Sequence, residues 1–200
     1  MIPGVVLAAG KSTRMGRPKA TLPLGRDTFL THIIQTFQEA AVEDVVVVVG
    51  HGRDSVVESV IARGLAPRFV VNEGYESGQL SSIVAAIRAI DRPGVTAMLL
   101  TLVDVPLASS GTMRAVVERY RSTQAPVVRP VNGDRHGHPV LIDRSLFDVL
   151  RAASPSVGAK SVVRAHASPL GDVRVDDEGC FMDIDTPEDY TRVLDELARQ

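Results

Sequence analysis

The 200-residue chain carries a single cysteine, Cys180, which excludes an internal disulfide and a zinc site built on cysteines. Nothing near Cys180 in the sequence would lower its pKa, so it is expected to be a small core residue and not a nucleophile. Net charge is also lacking: a balance of −2 gives no broad basic footprint for nucleic acid and no attraction to an anionic membrane. No apolar run approaches membrane-spanning length. The apolar stretch from Met1 to Gly10 has no basic segment before it and is short for a secretory signal, so a cytoplasmic protein is expected. Repeats, low-complexity tracts and linker-like stretches are absent too. With 44% apolar and 23% charged residues, the chain suits one well-buried α/β domain and is short for two.

What is present begins at Val5. The apolar run Val5-Val6-Leu7-Ala8 feeds directly into Ala9-Gly10-Lys11-Ser12-Thr13-Arg14-Met15-Gly16-Arg17-Pro18-Lys19, a loop of small residues and cations. Small residues let the backbone approach a ligand closely, and exposed N–H groups suit phosphate oxygens. Lys11, Arg14, Arg17 and Lys19 place positive charge where a triphosphate would lie. Spacing argues against two better-known loops. A Walker A loop ending at Gly10-Lys11-Ser12 needs a glycine at position 5, which is Val5, with Gly4 one residue off. A dinucleotide G-x-G-x-x-G also fails, because the next glycine after Gly10 is Gly16.

Leu7 to Lys19 matches, position by position, the signature L-A-[AG]-G-x-[SG]-x-R-M-G-x-x-K. In it the chain resembles the nucleotidyltransferases, and within them the molybdenum-cofactor (molybdopterin) cytidylyl- and guanylyltransferase group. Further matching segments follow in the expected order: Leu22-Pro23-Leu24-Gly25, Asn72 through Ile83, Leu102-Val103-Asp104-Val105-Pro106 and Asp183-Ile184-Asp185-Thr186-Pro187. Gly137-His138-Pro139-Val140-Leu141 resembles a segment of the cytidylyltransferase branch. Together these segments span nearly the whole chain.

The pattern along the chain alternates strand and helix. Val45 to Val49 reads as a strand covered on both faces, and Phe69 to Val71, Met98 to Leu102 and Pro126 to Arg129 are further strand candidates. Apolar stripes at Phe29, Leu30, Ile33, Ile34 and Phe37, at Met113, Val116, Val117 and Tyr120, and at Tyr190, Val193, Leu194 and Leu197 mark helices. The expected fold is a single α/β domain over 1–200, a mainly parallel Rossmann-like sheet with helices on both faces. Ligands of such sheets bind beyond the carboxyl ends of the strands, where the Leu7, Asn72 and Asp104 segments would converge. The stretch 131–179 breaks the rhythm. Val140-Leu141-Ile142 reads as a short strand, Ser145 to Ala152 and Lys160 to His166 as short helices, and the whole as an embellishment on one sheet edge that contacts an acceptor.

Transfer of a nucleotidyl group brings two anions together, so the site must neutralise charge and hold an in-line geometry. Mg²⁺ on one or two carboxylates suits this. Asp104, presented after an apolar strand and before Pro106, is placed for that role; Ser109 and Ser110 supply the caps that would otherwise occupy it. The resemblance makes Asp185 the second metal position with Asp183 in reserve, Lys19 the triphosphate-contacting lysine, and Arg14 its companion. Lys11 and Arg17 fall at variable positions and read as solvated cations. Thr186 and Pro187 read as N-cap and first residue of a helix, with Glu188 and Asp189 as acids complementing its dipole.

In relatives, Leu7, Ala8, Ala9 and Gly10 pass beside the nucleobase, and the region of Asn72, Gly78, Ser81 and Ser82 borders it. Ordinary capping by Ser77 or Ser81 is an equal alternative there. His136-x-His138 lacks a third ligand for zinc; the resemblance puts His138 near the acceptor, while the roles of His136 and Glu73 stay open. Val105 departs from the Gln or Met of many relatives. Ala9, where the guanylyl branch carries Gly, favours CTP. The resulting expectation is Mg²⁺-dependent transfer of CMP from CTP to a phosphorylated small molecule, foremost molybdopterin, with a molybdoenzyme or its chaperone as a further partner. The alternatives are GTP as donor, a sugar phosphate or phospholactate as acceptor, a non-catalytic protein that binds and delivers a cofactor nucleotide, and an oxidoreductase on the same scaffold.

Overall fold

A computed structural model describes residues 1–156 and 158–197; positions 157 and 198–200 of the expected domain lie outside it. The central sheet is built on β1 (Gly4–Ala8), β4 (Val45–Val49), β5 (Arg68–Val71), β6 (Ala97–Leu102), β7 (Val127–Asn132), β9 (Val140–Asp143) and β10 (Asp172–Arg174). Their order is β10-β7-β9-β6-β1-β4-β5, with the short β8 (Arg135–His136) paired to β7. β6, β1, β4 and β5 run parallel. All five residues of β1 and all five valines of β4 are buried, as a strand covered on both faces requires.

Alternate residues divide between two cores. Val6 and Val47 pack with α1 (Phe29–Glu39) and α4 (Ser110–Thr123) on one face. Val5, Val46 and Val48 pack with α3 (Gln79–Ile90), α5 (Phe147–Ala152) and α6 (Gly158–His166) on the other. A capping box starts α1: the Thr28 hydroxyl accepts from the Thr31 N–H, and the Thr28 N–H donates to the Thr31 hydroxyl. α2 (Arg53–Ile61) carries no clear stripe in the sequence because only Val56 and Val60 are buried along it.

A third, smaller core joins the chain's two ends. Leu22, Leu24 and Phe29, around the hairpin of β2 (Pro23–Leu24) and β3 (Asp27–Thr28), pack against Ile184 and against Val193 of α7 (Pro187–Leu197). The Tyr190 ring meets Phe29 edge-on at 5.7 Å, and its hydroxyl donates to the Pro23 carbonyl at 2.7 Å. Ile184 is fully buried, and burial of such a side chain stabilises by roughly 1.5–3 kcal/mol. Its N–H donates to the Asp104 carbonyl at 2.8 Å, so this core locks the Asp183–Asp185 segment against the end of β6.

The expected edge embellishment is corrected by the topology. β9, from the middle of 131–179, lies inside the sheet between β6 and β7 and antiparallel to both. Val140, Leu141 and Ile142 are all buried, and an all-apolar strand is stable only where both its faces are covered. Only β8 and β10 of this stretch lie at the margin. Among the described residues no helix is long and apolar enough to cross a membrane.

Candidate active site

The loop after β1 is shaped by its own backbone before any ligand enters. Ser12 adopts a left-handed conformation (φ 49°), and Gly16 does the same at the end of the 3-10 turn Thr13–Met15. The Ser12 hydroxyl accepts from the Lys19 N–H at 3.0 Å, folding the loop back so that the Lys19 side chain turns inward. Its ammonium lies 3.2 Å from Asp104 Oδ2 and 2.5 Å from Asp185 Oδ1. Arg14 reaches Asp185 from the solvent side at 3.3 Å. Lys19 is 7% exposed, so it is no free loop cation. Its charge is already committed to two carboxylates.

Asp185 is held in place from behind. Asp189 accepts from the N–H groups of Asp185 and Thr186, and its own N–H donates to the Thr186 hydroxyl. This makes Asp189 a capping residue that orients the carboxylate before it, a more specific task than dipole compensation. The Lys19 hydrogen bond holds the Asp185 carboxyl below its ordinary range. Asp183 behaves oppositely: burial, and then the nearby Asp104 charge, push its carboxyl up. Asp104 Oδ1 is buried with no hydrogen-bond partner. Capping of α4 falls to Ser109, whose hydroxyl accepts from the Thr112 N–H, which leaves Asp104 uncommitted on that side.

These groups open on a cavity of about 500 Å³. Leu7, Ala9, Gly10, Gly78 and Ser82 line it together with Arg14, Lys19, Asp104 and Asp185. Ala8 does not, because alternation along β1 turns its methyl to the opposite core. Asn72 and Ser81 stand one layer back. Asn72 donates to the hydroxyls of Ser81 and Ser82 and accepts from the Gly74 N–H, tying the loop to α3. Neither Ser77 nor Ser81 caps α3; the cap position is Gly78, with no side-chain acceptor, so α3 starts at the cavity wall uncapped.

Tyr75 and Gln79 also stand in the wall, and no motif in the sequence marks either as a site residue. Tyr75 sits in a 3-10 turn with no apolar period to mark it. Glu73 points away, to Arg53 at 2.8 Å, and Lys11 pairs with Glu76 at the exposed rim. Val105 is buried in the core and lines no part of the cavity.

A second cavity of about 400 Å³ adjoins the first, sharing Gln79 and Leu102. Asp183, His136 and His138 line this one, so Asp183 and Asp185 serve different chambers. Gly137 makes the close approach that places His138. A Cβ there would lie 2.4 Å from the Cys180 carbonyl oxygen, which accepts from the His138 N–H at 2.8 Å. Burial pushes the His138 imidazole down, and its Nδ1 has no partner. Burial likewise pushes the Cys180 thiol up to about 12, which removes it as a nucleophile.

Residues 4–170 match the family described as the MobA-like NTP transferase domain. The chain is 32% identical to nicotine blue oxidoreductase of Paenarthrobacter nicotinovorans, with 96% of each chain covered. Its fold superposes on the crystal structure of Rv0371c from Mycobacterium tuberculosis H37Rv with a TM-score of 0.82, at 28% identity over 98% of both chains. A manganese complex of that protein is also known, with a TM-score of 0.76, 28% identity, and 97% and 98% of the two chains covered. Molybdopterin-guanine dinucleotide biosynthesis protein A from Archaeoglobus fulgidus shares the fold, with a TM-score of 0.72 at 16% identity over the full length of both chains.

Proposed function

The chain belongs to the MobA-like NTP transferase family, and from that premise we propose that it transfers CMP from CTP to the phosphate of a small acceptor, foremost molybdopterin, with release of pyrophosphate. An acceptor phosphate oxygen forms the new bond to the α-phosphorus, and the bond to the β-phosphate oxygen breaks. The observation that carries this reading is the cluster of Lys19, Asp104 and Asp185 at the floor of a cavity walled by the Leu7–Arg14 loop.

A divalent cation fits here. Asp104 offers a buried oxygen without a partner, and Asp185 offers a second carboxylate. Two carboxylates suit Mg²⁺, which completes its shell with phosphate oxygens and water. When bound, the ion would neutralise charge developing on the triphosphate. Lys19 and Arg14 supply further positive charge to the phosphates, and the carboxylates hold Lys19 in position beforehand. Ala9, whose methyl lines the cavity, supports cytosine over guanine. His138 faces the second cavity, which we assign to the acceptor. The reaction would take place in the cytoplasm, and a molybdoenzyme or its chaperone would collect the product.

The test is a screen of CTP and GTP against molybdopterin, sugar phosphates and phospholactate with Mg²⁺, scored by pyrophosphate. Pyrophosphate release with CTP and molybdopterin is expected. Its absence with every pair would sink the transferase reading. The 32% identity to an oxidoreductase favours a second reading on the same scaffold; redox turnover without pyrophosphate release would establish that one instead.

A further inference from the structure

Lysine is scarce in this chain. Of its 22 Lys and Arg residues only three are lysines, Lys11, Lys19 and Lys160. All three line the two adjoining cavities, Lys11 and Lys19 the first and Lys160 the second. Lys160 is joined in the second cavity by Arg164, one helical turn later on α6, so both project from one face of that helix. Most cations of the fold are committed. Arg129, at the wall of the same cavity, donates to Asp172 at 3.0 Å, and Arg135 forms a two-pronged pair with Glu178. Lys160 and Arg164 form no ion pair with any described residue. Apolar side chains of Ile83, Leu100, Leu102, Ile142 and Val163 line the same cavity, alongside the polar Gln79, His136 and His138.

We propose that Lys160 and Arg164 form a subsite for a second anionic group of the acceptor, at the end of its body away from the reacting phosphate. The inference rests on the transferase reading only for naming the occupant of this cavity as the acceptor. The substrate class it defines is a phosphate monoester with a flat or apolar body and a further negative charge. Such an arrangement fixes the acceptor at two points. The cations hold one end and the apolar walls hold the body, so the phosphate is presented in one orientation to the nucleotide chamber. A charge-assisted hydrogen bond of this kind favours a ligand that carries the second anion over an analogue that lacks it.

Calorimetric titration of the full chain with Mg²⁺ and two matched probes tests this: phenyl phosphate, and 4-carboxyphenyl phosphate, which adds the second anion. The expected result is at least about ten-fold tighter binding of the carboxylated probe. In the double variant Lys160→Ala, Arg164→Ala that preference should vanish, while affinity for phenyl phosphate and for CTP stays within about two-fold. The single variants Lys160→Arg and Arg164→Lys should retain most of it. Equal binding of the two probes by the native chain, binding of neither, or a preference that survives in the double variant would each overturn the subsite. A failure to release pyrophosphate would count against the transferase reading and leave this binding preference intact, so the two failures can be told apart.

Discussion

The two cavities are built by different means. The nucleotide chamber is framed by one contiguous loop, Leu7 to Lys19, whose shape comes from left-handed backbone at Ser12 and Gly16 and whose charge comes from a pre-assembled Lys19–Asp104–Asp185 cluster. The second chamber draws on β6, β7, β8, β9, α3, α6 and the segment before Ile184; its Arg129 is paired with Asp172, while Lys160 and Arg164 on α6 form no ion pair with any described residue. A loop fixed by its backbone and a buried lysine held by two carboxylates resist change. Long side chains on a surface helix are easily exchanged, so on the transferase reading proposed above the first design would fix the chemistry and the second would set which acceptor enters.

The sharpest way to break this contrast is at its centre. Asp104→Ala should lower kcat at least about 100-fold, by analogy with loss of one preorganised electrostatic group. Steady-state pyrophosphate release measures it, and turnover within a few-fold of the native rate would remove Asp104 from the machinery.

Lys19→Ala should weaken CTP binding and slow transfer, with Lys11→Ala doing far less because Lys11 only pairs with Glu76 at the exposed rim. Burial of Lys19 adds a stability effect that a free loop cation would not show. Its loss leaves Asp104 and Asp185 as facing like charges, at about 1–3 kcal/mol, toward the lower end because the Asp185 side chain is 40% exposed. Thermal melts of metal-free protein should show the drop, and added Mg²⁺ should restore more of the melting temperature in the variant than in the native chain. An unchanged melting temperature would mean that the cluster adds nothing to folding.

The paired carboxylates sharpen the comparison by their opposite signs. The carboxyl of Asp185 is held down in the folded chain. Its stabilisation is therefore present above an unfolded value of about 4 and lost as pH falls through the lower folded value. The carboxyl of Asp183 is raised, so its contribution is present at acid pH and lost as pH rises through the folded value. In metal-free protein, Asp185→Asn should lower the melting temperature at pH 7, and Asp183→Asn should raise it. Both differences should shrink as pH approaches 3. Shifts of the same sign at pH 7 would contradict this assignment.

The smallest expected effect is Ala9→Gly, which should raise use of GTP relative to CTP without abolishing the latter. One methyl discriminates by roughly 1–3 kcal/mol, and competition between the two nucleotides reads it directly. A native preference for GTP would defeat the cytidylyl assignment and leave the transferase one standing.

Legibility followed the same division. The parallel strands and the stripes of α1, α4 and α7 are periodic, and their spacing is visible in the chain itself. The short α2, with two buried residues, has no period to read. The interior position of β9 was equally hidden, because Val140-Leu141-Ile142 announces burial on both faces but not which neighbours supply it. Asn72 and Ser81 are near the nucleotide in sequence terms, yet their hydrogen bonds to each other and to Gly74 set them behind the wall. Tyr75 and Gln79 reach it without any motif of their own.

By itself, the order of residues determined the α/β alternation and the loop that follows β1, because each depends on local backbone chemistry or on a short apolar period, while Asp185 was reached only through the resemblance of its segment to a family. Only the tertiary structure decided that Lys19 is buried between two carboxylates, that Asp183 and Asp185 face different chambers, and that Lys160 and Arg164 line one cavity with His138 without an ion pair to any described residue. Those facts depend on which surfaces meet when α7 packs on the β2–β3 hairpin and β9 enters the sheet. Contacts between segments more than a hundred residues apart follow from close packing of the whole chain, and no local pattern records them.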